Sequence, residues 1–545
     1  MDSIKAQTNQ APFVPPLSNS MKTGNLTLHP FLFAAYPVFY LYARNSGLMP
    51  WTDVLAPLAV ALAATAVLLL IFLGCLRSIH AGAALTTLAL LIFTAYRPAY
   101  VSIKHLGLVS DRSIIHQGLI IFVVLSLACA AFLLLRFRRN LSPLNSALNT
   151  FGLCLLLLNV WDFGASILHG EGPAMRSRSA SIFPTVALPH SAARPNIYYI
   201  IMDGYGRHDV LKDIYKYDNA TFLEALRELG FYVASGSHAN YAQTLLSFSS
   251  SLNMDYLDRF AAETGEASRD RSKLRELVSD NKVSRSLRSA GYKWISFASG
   301  YSGTDVRRSD LRIETSFSLS EFGNVLMRLT PLPWLQRAIP ITALQSWQFE
   351  AHRKRIRNTL TALPELAVKE AGPFFALAHV IAPHPPFVFK AGGQASENRR
   401  IFSFHDGSHF VKRWGRKRYV RGYAEQIKHI SSLLQQTLSD LRRNDPDAVI
   451  IVQGDHGPGS RLDWNNHEKS DARERLAVLN AYYGPARMIE ALYPGISPVN
   501  SFRVVFNALF NTSLPLLEDE AYLSTWKGLY RFRNVTQTVK SPAGE

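Results

Sequence analysis

AVIIVQGDHGPGS, residues 448–460, is the stretch on which the fold turns. An apolar, β-branched run from Ala448 to Val452 gives way to a polar loop that holds Asp455 and His456 between Gly454 and Gly457. A short apolar run bounded by turn residues reads as a strand buried on both faces, the pattern of a parallel sheet. Open α/β sheets gather their ligands where strands stop at the carboxyl end. Asp and Gly are also ordinary turn residues, so the stretch alone is equally a plain strand exit. A carboxylate beside an imidazole supplies two ligands for a divalent ion. Adjacent side chains converge on one ion only where the backbone turns sharply, which the flanking glycines permit. The pair therefore needs partners from elsewhere in the chain.

Working outward, the same design recurs. NIYYIIMDGYG (196–206) is a buried strand over 197–202 that breaks at Asp203-Gly204. NATFLEALRELGFYVAS (219–235) predicts a helix closed by Gly230 and then a strand, and SRSLRSAGYKWISFAS (284–299) repeats that unit. PFFALAHVIAPHPPFVF (373–389) carries another strand. A long helix over about 419–443 runs into the 448–453 strand, ERLAVLNAYYG adds a late strand and NSFRVVFNALF a late helix. Strands alternating with helices predict an α/β fold, a mostly parallel sheet covered on both faces.

The first 165 residues are different. Of the 545 residues 48% are hydrophobic and only 18% charged, and nearly all long apolar runs fall here. About 20 residues cross a bilayer; the segments 54–76, 79–96, 114–135 and 144–161 reach or approach that length. A fifth, 26–43, is shorter and interrupted by Pro30 and Pro37. No cleavable signal pattern follows Met1, so the segments are expected to stay. The expected organisation is a transmembrane anchor of about five spans over 1–163, a Ser/Pro/Gly-rich linker over 164–194 and a catalytic domain over 195–545. With Arg77, Arg136, Arg138 and Arg139 kept in the cytoplasm, the large domain faces outward, whether four or five segments span. That places it in the periplasm of a cell with an inner membrane. The formal charge of +17 comes without a nucleic-acid recognition motif, so no nucleic-acid partner is expected. The three cysteines, Cys75, Cys129 and Cys154, all lie in apolar runs, and no disulfide framework exists.

Asp203, Asp455 and His456 end two strands of one sheet and can share a rim; two carboxylates and one imidazole suit zinc or manganese. SHANYAQTLLSFSSSLNM (237–254) supplies hydroxyls. Thr244 falls near a helix N-terminus, where free N–H groups and the dipole favour an anion. The competing reading is that Thr244 is only the N-cap; Ser247 and Ser249 are weaker nucleophile candidates.

YYIIMDGYGR, NYAQTLLSFSSSLNM, HVIAPHPPFVF and IVQGDHGPGS occur in an order that resembles the alkaline phosphatase/sulfatase superfamily, nearest its membrane-anchored branch of lipoteichoic acid synthases and phosphoethanolamine or phosphoglycerol transferases. The resemblance covers roughly residues 195–515. It implies an alkaline phosphatase-like domain with one divalent metal, Zn or Mn, held by Asp203, Thr244, Asp455 and His456. It also implies Thr244 as a covalent nucleophile and His384 beside the substrate phosphate. His379 is a second substrate-side candidate, balanced against an inward core histidine. His467 reads as a surface-loop residue in preference to a ligand. The implied partners are a membrane lipid donor and an envelope glycan or lipid acceptor. Formylglycine-dependent sulfatases need Cys or Ser followed by x-Pro-x-Arg, which this chain lacks.

A phosphotransferase is the leading expectation. A hydrolase passing the group to water shares its first half-reaction, a membrane scaffold would need none of the four site residues, and the spans carry few ionisable groups for a transporter. The basic runs HRKRIR (352–357) and KRWGRKRYVR (412–421) read first as solvated surface, with the second a candidate face for anionic headgroups.

Overall fold

The computed structural model describes residues 26–44, 52–107, 109, 111–137, 141–166, 182–189, 194–316, 321–332, 342–396 and 402–540. The chain forms two compact units: Met1–Tyr40 with Leu58–Asn159, and Leu41–Pro57 with Val160–Glu545.

The first unit is helical: α1 (His29–Ala43), α2 (Thr52–Leu76), α3 (Ile79–His105), α4 (Arg112–Arg136) and α5 (Ser142–Ser166). Four stretches, Asp53–Leu76, Ile79–His105, Ser113–Arg136 and Ser142–Trp161, are long and apolar enough to cross a membrane. The fifth expected span corresponds to α1, whose 15 residues cover about 22 Å, short of the roughly 30 Å hydrocarbon core. Ile121, Phe122, Leu125 and Phe132 of α4 are exposed, as in a helix that is apolar all round. Arg138 and Arg139, half of the arginines that orient the spans, lie outside the described residues, as does most of the expected linker. Where the 164–194 segment is described, Ile182, Phe183 and Leu188 are buried in the core of the second unit.

The second unit is built on a seven-stranded sheet of order β2-β7-β6-β1-β5-β3-β4. The strands are β1 (Ile197–Met202), β2 (Tyr232–Val233), β3 (Lys293–Phe297), β4 (Leu311–Ile313), β5 (Phe374–Val380), β6 (Val449–Gln453) and β7 (Asn480–Tyr483). β1 pairs in parallel with β5 and β6, and β3 in parallel with β5 and β4. Only the β2–β7–β6 edge is antiparallel. Every residue of β1, β5 and β6 is buried, which is why they read as continuous apolar runs instead of alternating ones.

The period-2 alternation of side chains divides β1 between two cores. Tyr198, Ile200 and Met202 face one, and Ile197, Tyr199 and Ile201 the other. The long helix Arg416–Asn444 covers the first with Tyr419, Tyr423, Ile427, Ile430, Leu434, Leu438 and Leu441, steps of four and three that keep one face inward. The helix Pro498–Phe510 covers the second with Phe502, Val505, Phe506 and Phe510. The expected α/β architecture is the observed one.

Candidate active site

β1 and β6 are hydrogen-bonded neighbours at the middle of the sheet, so their carboxyl ends leave side by side. Asp203 directly follows β1, and Asp455 lies just beyond Gln453, the last residue of β6. Gly204 adopts φ +77°, a left-handed conformation that suits glycine and turns the chain away at once. Its N–H donates to Asp455 Oδ1 at 3.1 Å, stitching the two loops together. The glycines flanking Asp455-His456 have a different reason from the one expected. Neither has positive φ; backbone crowds them instead. A Cβ on Gly454 would lie 2.5 Å from the Tyr205 carbonyl oxygen, and one on Gly457 only 2.2 Å from that of Glu474.

Thr244 opens the helix Thr244–Asn253 but does not cap it: the N-cap is Gln243, with extended backbone and no side-chain cap bond. The cap reading of Thr244 therefore fails, and its Oγ1 lies 3.0 Å from His456 Nε2 instead. Ser247 and Ser249 are buried, neither lines the cavity over the site, and Ser249 bonds the Leu274 carbonyl.

The remaining contacts fix the imidazole. His456 Nδ1 lies 3.0 Å from the Gly457 carbonyl oxygen; a carbonyl only accepts, so Nδ1 carries the proton. Burial, with the Arg475 charge adding to it, lowers the His456 pKa, so the ring stays neutral with the Nε2 lone pair turned inward. That nitrogen sits 3.3 Å from Asp455 Oδ2 and 3.5 Å from Asp203 Oδ1. These two buried carboxylate oxygens have no hydrogen-bond partner. Burial pushes the Asp203 pKa up, but the neighbouring imidazoles, His384 foremost and then His379, outweigh it and hold the carboxyl below its usual range.

Two buried carboxylate oxygens without a hydrogen-bond partner, converging on a lone pair that meets only the Thr244 hydroxyl, are the arrangement that a cation completes. Among the described residues Asp203, Asp455 and His456 form the one such group, their ligand atoms within 4.8 Å of each other. Ligands at about 2.0–2.1 Å in a tetrahedron stand roughly 3.3 Å apart. The observed 3.0, 3.3 and 3.5 Å separations fit one divalent ion held by these three and Thr244.

The site opens into a cavity of about 490 Å³ whose wall includes Asp203, Thr244, His384, His456 and Arg475. His384 lies on that wall. Its N–H donates to the Asp203 carbonyl at 2.9 Å, Nδ1 donates to the Pro385 carbonyl at 2.5 Å, and Nε2 lies 3.6 Å from Asp406 Oδ2. His379 is elsewhere. It sits on β5 behind Asp203, with Nε2 3.3 Å from Oδ2, Nδ1 2.6 Å from Thr304 Oγ1, and the ring edge-on to Phe248. It does not line the cavity, a placement that agrees with the inward core histidine weighed against a substrate contact, and it faces the Asp203 carboxylate. His467 lies in a short 3₁₀ turn away from the cavity wall.

Three contributors carry no sequence signal. Arg475, almost fully buried, donates to Asp406 Oδ2 at 2.6 Å, to the Ala242 carbonyl at 2.9 Å and to the Gly457 carbonyl at 3.0 Å. It therefore clamps the segment before Thr244 to the loop after His456. Asp406 accepts as well from Tyr419 at 2.7 Å; burial opposes its ionisation, but His384 and Arg475 hold its pKa down to about 2. Arg271, also on the cavity wall, lies 3.6 Å over the Trp526 ring and donates to Gln243 Oε1 at 3.1 Å, next to Thr244. HRKRIR departs from the solvated surface expected of it, since His352, Arg353 and Arg355 are buried. Arg353 pairs with Glu350, and His352 packs edge-on to Phe402 and Phe404.

A protein-family model described as Sulfatase matches residues 195–476. No curated protein matches the chain. Solved structures similar to it include the C-terminal periplasmic domain of EcEptC from Escherichia coli, 10% identical, TM-score 0.41, covering 65% of this chain and 97% of that one. The integral membrane lipooligosaccharide phosphoethanolamine transferase A from Neisseria meningitidis is 11% identical at TM-score 0.38, covering 89% of this chain and 94% of its own. The phosphonate monoester hydrolase of Agrobacterium radiobacter is 14% identical at TM-score 0.39, over 61% and 80%. With the family model spanning β1 to the segment beyond the Asp455-His456 loop, and so every candidate metal ligand, the chain belongs to the sulfatase family of the alkaline phosphatase superfamily.

Proposed function

We propose that this protein is a membrane-anchored phosphotransferase that moves a phosphorylated headgroup, of phosphoglycerol or phosphoethanolamine type, from a lipid donor to an envelope glycan or lipid through a phosphothreonine at Thr244. The observation that carries this is the Thr244 hydroxyl at 3.0 Å from His456 Nε2, within the buried Asp203–Asp455–His456 cluster. In the first half-reaction Oγ1 bonds to phosphorus as the donor's ester bond breaks, and the released lipid alcohol takes up the proton that Thr244 loses. In the second, the acceptor hydroxyl attacks the same phosphorus and Thr244 leaves, regaining a proton as the acceptor oxygen gives up its own. Asp203, Thr244, Asp455 and His456 would hold one zinc or manganese ion, which offsets charge on the attacking and phosphoryl oxygens when bound. His384 lies on the cavity wall with Nε2 3.6 Å from Asp406 Oδ2, and as an imidazolium it can donate from Nε2 to a phosphoryl oxygen, while Arg475 keeps the Thr244 and His456 segments in register. Cationic Arg271 and Arg275 on the cavity wall suit an anionic substrate.

Intact-mass analysis after incubation with membrane lipids and Mn²⁺ or Zn²⁺ tests this reading. The expected result is a headgroup mass on Thr244 that Thr244→Ala abolishes, along with turnover. Wild-type protein that turns over substrate without ever gaining mass removes Thr244 from the role. A hydrolase would gain the same mass and release it to water with no acceptor present.

A further inference from the structure

A second cavity, of about 360 Å³, adjoins the first and shares Ser403 and His405 with it. Its wall includes the aromatic rings of Phe349, Phe387, Phe410 and Trp414. It also includes Lys390, Arg418 and Arg421 with a single carboxylate, Glu425, which pairs with Arg421 at 3.1 Å. The three cations against one acid leave the wall net positive. The shape is built by the sequence. Gly415, with φ +85°, separates the helix Ser408–Trp414 from Arg416–Asn444. Gly422 is obligatory, because a Cβ there would lie 2.3 Å from the Phe387 ring. Beside the cavity the same two helices expose Lys412, Arg413, Arg416 and Lys417, so the basic run KRWGRKRYVR forms a positive approach to a partly aromatic pocket. Such a pairing recognises a phosphate through the guanidinium groups and a sugar or acyl portion through the rings.

We propose that this cavity binds a phosphate-ester anion bearing a sugar or apolar portion and holds it beside the transfer centre. The placement rests on the phosphotransfer reading; the binding does not. Wild-type full-length protein in detergent micelles is titrated calorimetrically with glycerol 3-phosphate, and separately with mixed micelles carrying dioleoylphosphatidylglycerol against uncharged dioleoylglycerol. The comparison variants are R418E/R421E and R418Q/R421Q, with Thr244→Ala as a third. Both arginines are exposed, and an unchanged melting temperature reports an intact fold. R418E/R421E is expected to weaken binding by about tenfold. R418Q/R421Q is expected to weaken it by less, since glutamine removes the attraction without adding repulsion. Thr244→Ala is expected to bind as wild type. A loss confined to glycerol 3-phosphate assigns a water-soluble phospho-sugar source, and a loss confined to phosphatidylglycerol assigns a lipid headgroup. Equal affinity of wild type and R418E/R421E for both probes, or no binding by the wild type, overturns the proposal. Failure to find a Thr244 adduct leaves these titrations unaffected, so the two readings fail separately.

Discussion

Asp406 and Arg475 form a buried pair at 2.6 Å, and its worth shows when one half is lost. Removing one partner of a buried ion pair costs about 3–5 kcal/mol, because the other charge stays desolvated, whereas replacing both by apolar groups is often neutral. Asp406→Asn is therefore expected to lower unfolding free energy by that amount in denaturant titrations, and Asp406→Leu/Arg475→Met to recover much of it. If Asp406→Asn alone unfolds like the wild type, the pair is not the clamp described above. None of this is visible in the sequence. Asp406 and Arg475 stand 69 positions apart, one in an irregular segment and the other in a five-residue helix, where neither periodicity nor a motif marks them. Asp203, Asp455 and His456 are legible because each comes just after an apolar strand, and sheet topology brings strand ends together. His379 is legible as chemistry but not as placement. Its alternation along β5 allows either face, and only the register Ile201↔His379 sets it behind Asp203.

At the scale of elements, the segment before the Thr244 helix is tied to the segment before β7. His238 bridges Ala477, and the Ala239 N–H donates to the Leu476 carbonyl at 2.7 Å. His238 is buried, and burial lowers its pKa from 6.5 to about 4, with Asp519 only partly opposing. Unfolding releases it to titrate normally. Its folded-state contribution is thus complete above pH 6.5 and is lost as pH falls from 6.5 toward 4, up to about 3 kcal/mol. Denaturant unfolding at pH 7 and pH 4.5 should show a smaller pH-dependent loss for His238→Leu than for wild type; parallel losses would remove His238 as the source. The long helix is legible from end to end, since Tyr419 to Leu441 keep one inward stripe. Of the antiparallel strands, β7 is legible in ERLAVLNAYYG, whereas β2 follows only from the turn at Gly230, its two residues being too few to show a period. HRKRIR misleads because charge suggests water, while Arg353 is held inside by Glu350 and by the distant Val388 carbonyl, and Arg355 lies near Asp305.

For the whole molecule, four membrane-capable helices leave one orientation to establish, and the arginines flanking them predict it. A reporter fused after Glu545 that is active only outside the cytoplasm should be active, and one fused at Arg136 inactive; the reverse pattern would place the sulfatase-family domain in the cytoplasm and exclude an envelope acceptor. The four membrane-capable helices are readable from composition, because a segment surrounded by lipid needs no tertiary partner to be apolar. The site is not readable to the same depth, since its supporting residues answer only to three-dimensional neighbours. The pairing of β1 with β5 and β6 has a consequence for biogenesis. The earliest strand of the sheet, Ile197–Met202, finds both neighbours only after residues 374–380 and 449–453 have been synthesised. A nascent chain emerging from the ribosome therefore carries Asp203 for some 250 residues, and Thr244 for some 210, before Asp455 and His456 exist to join them, and a polypeptide truncated in that interval lacks half of the candidate metal ligands.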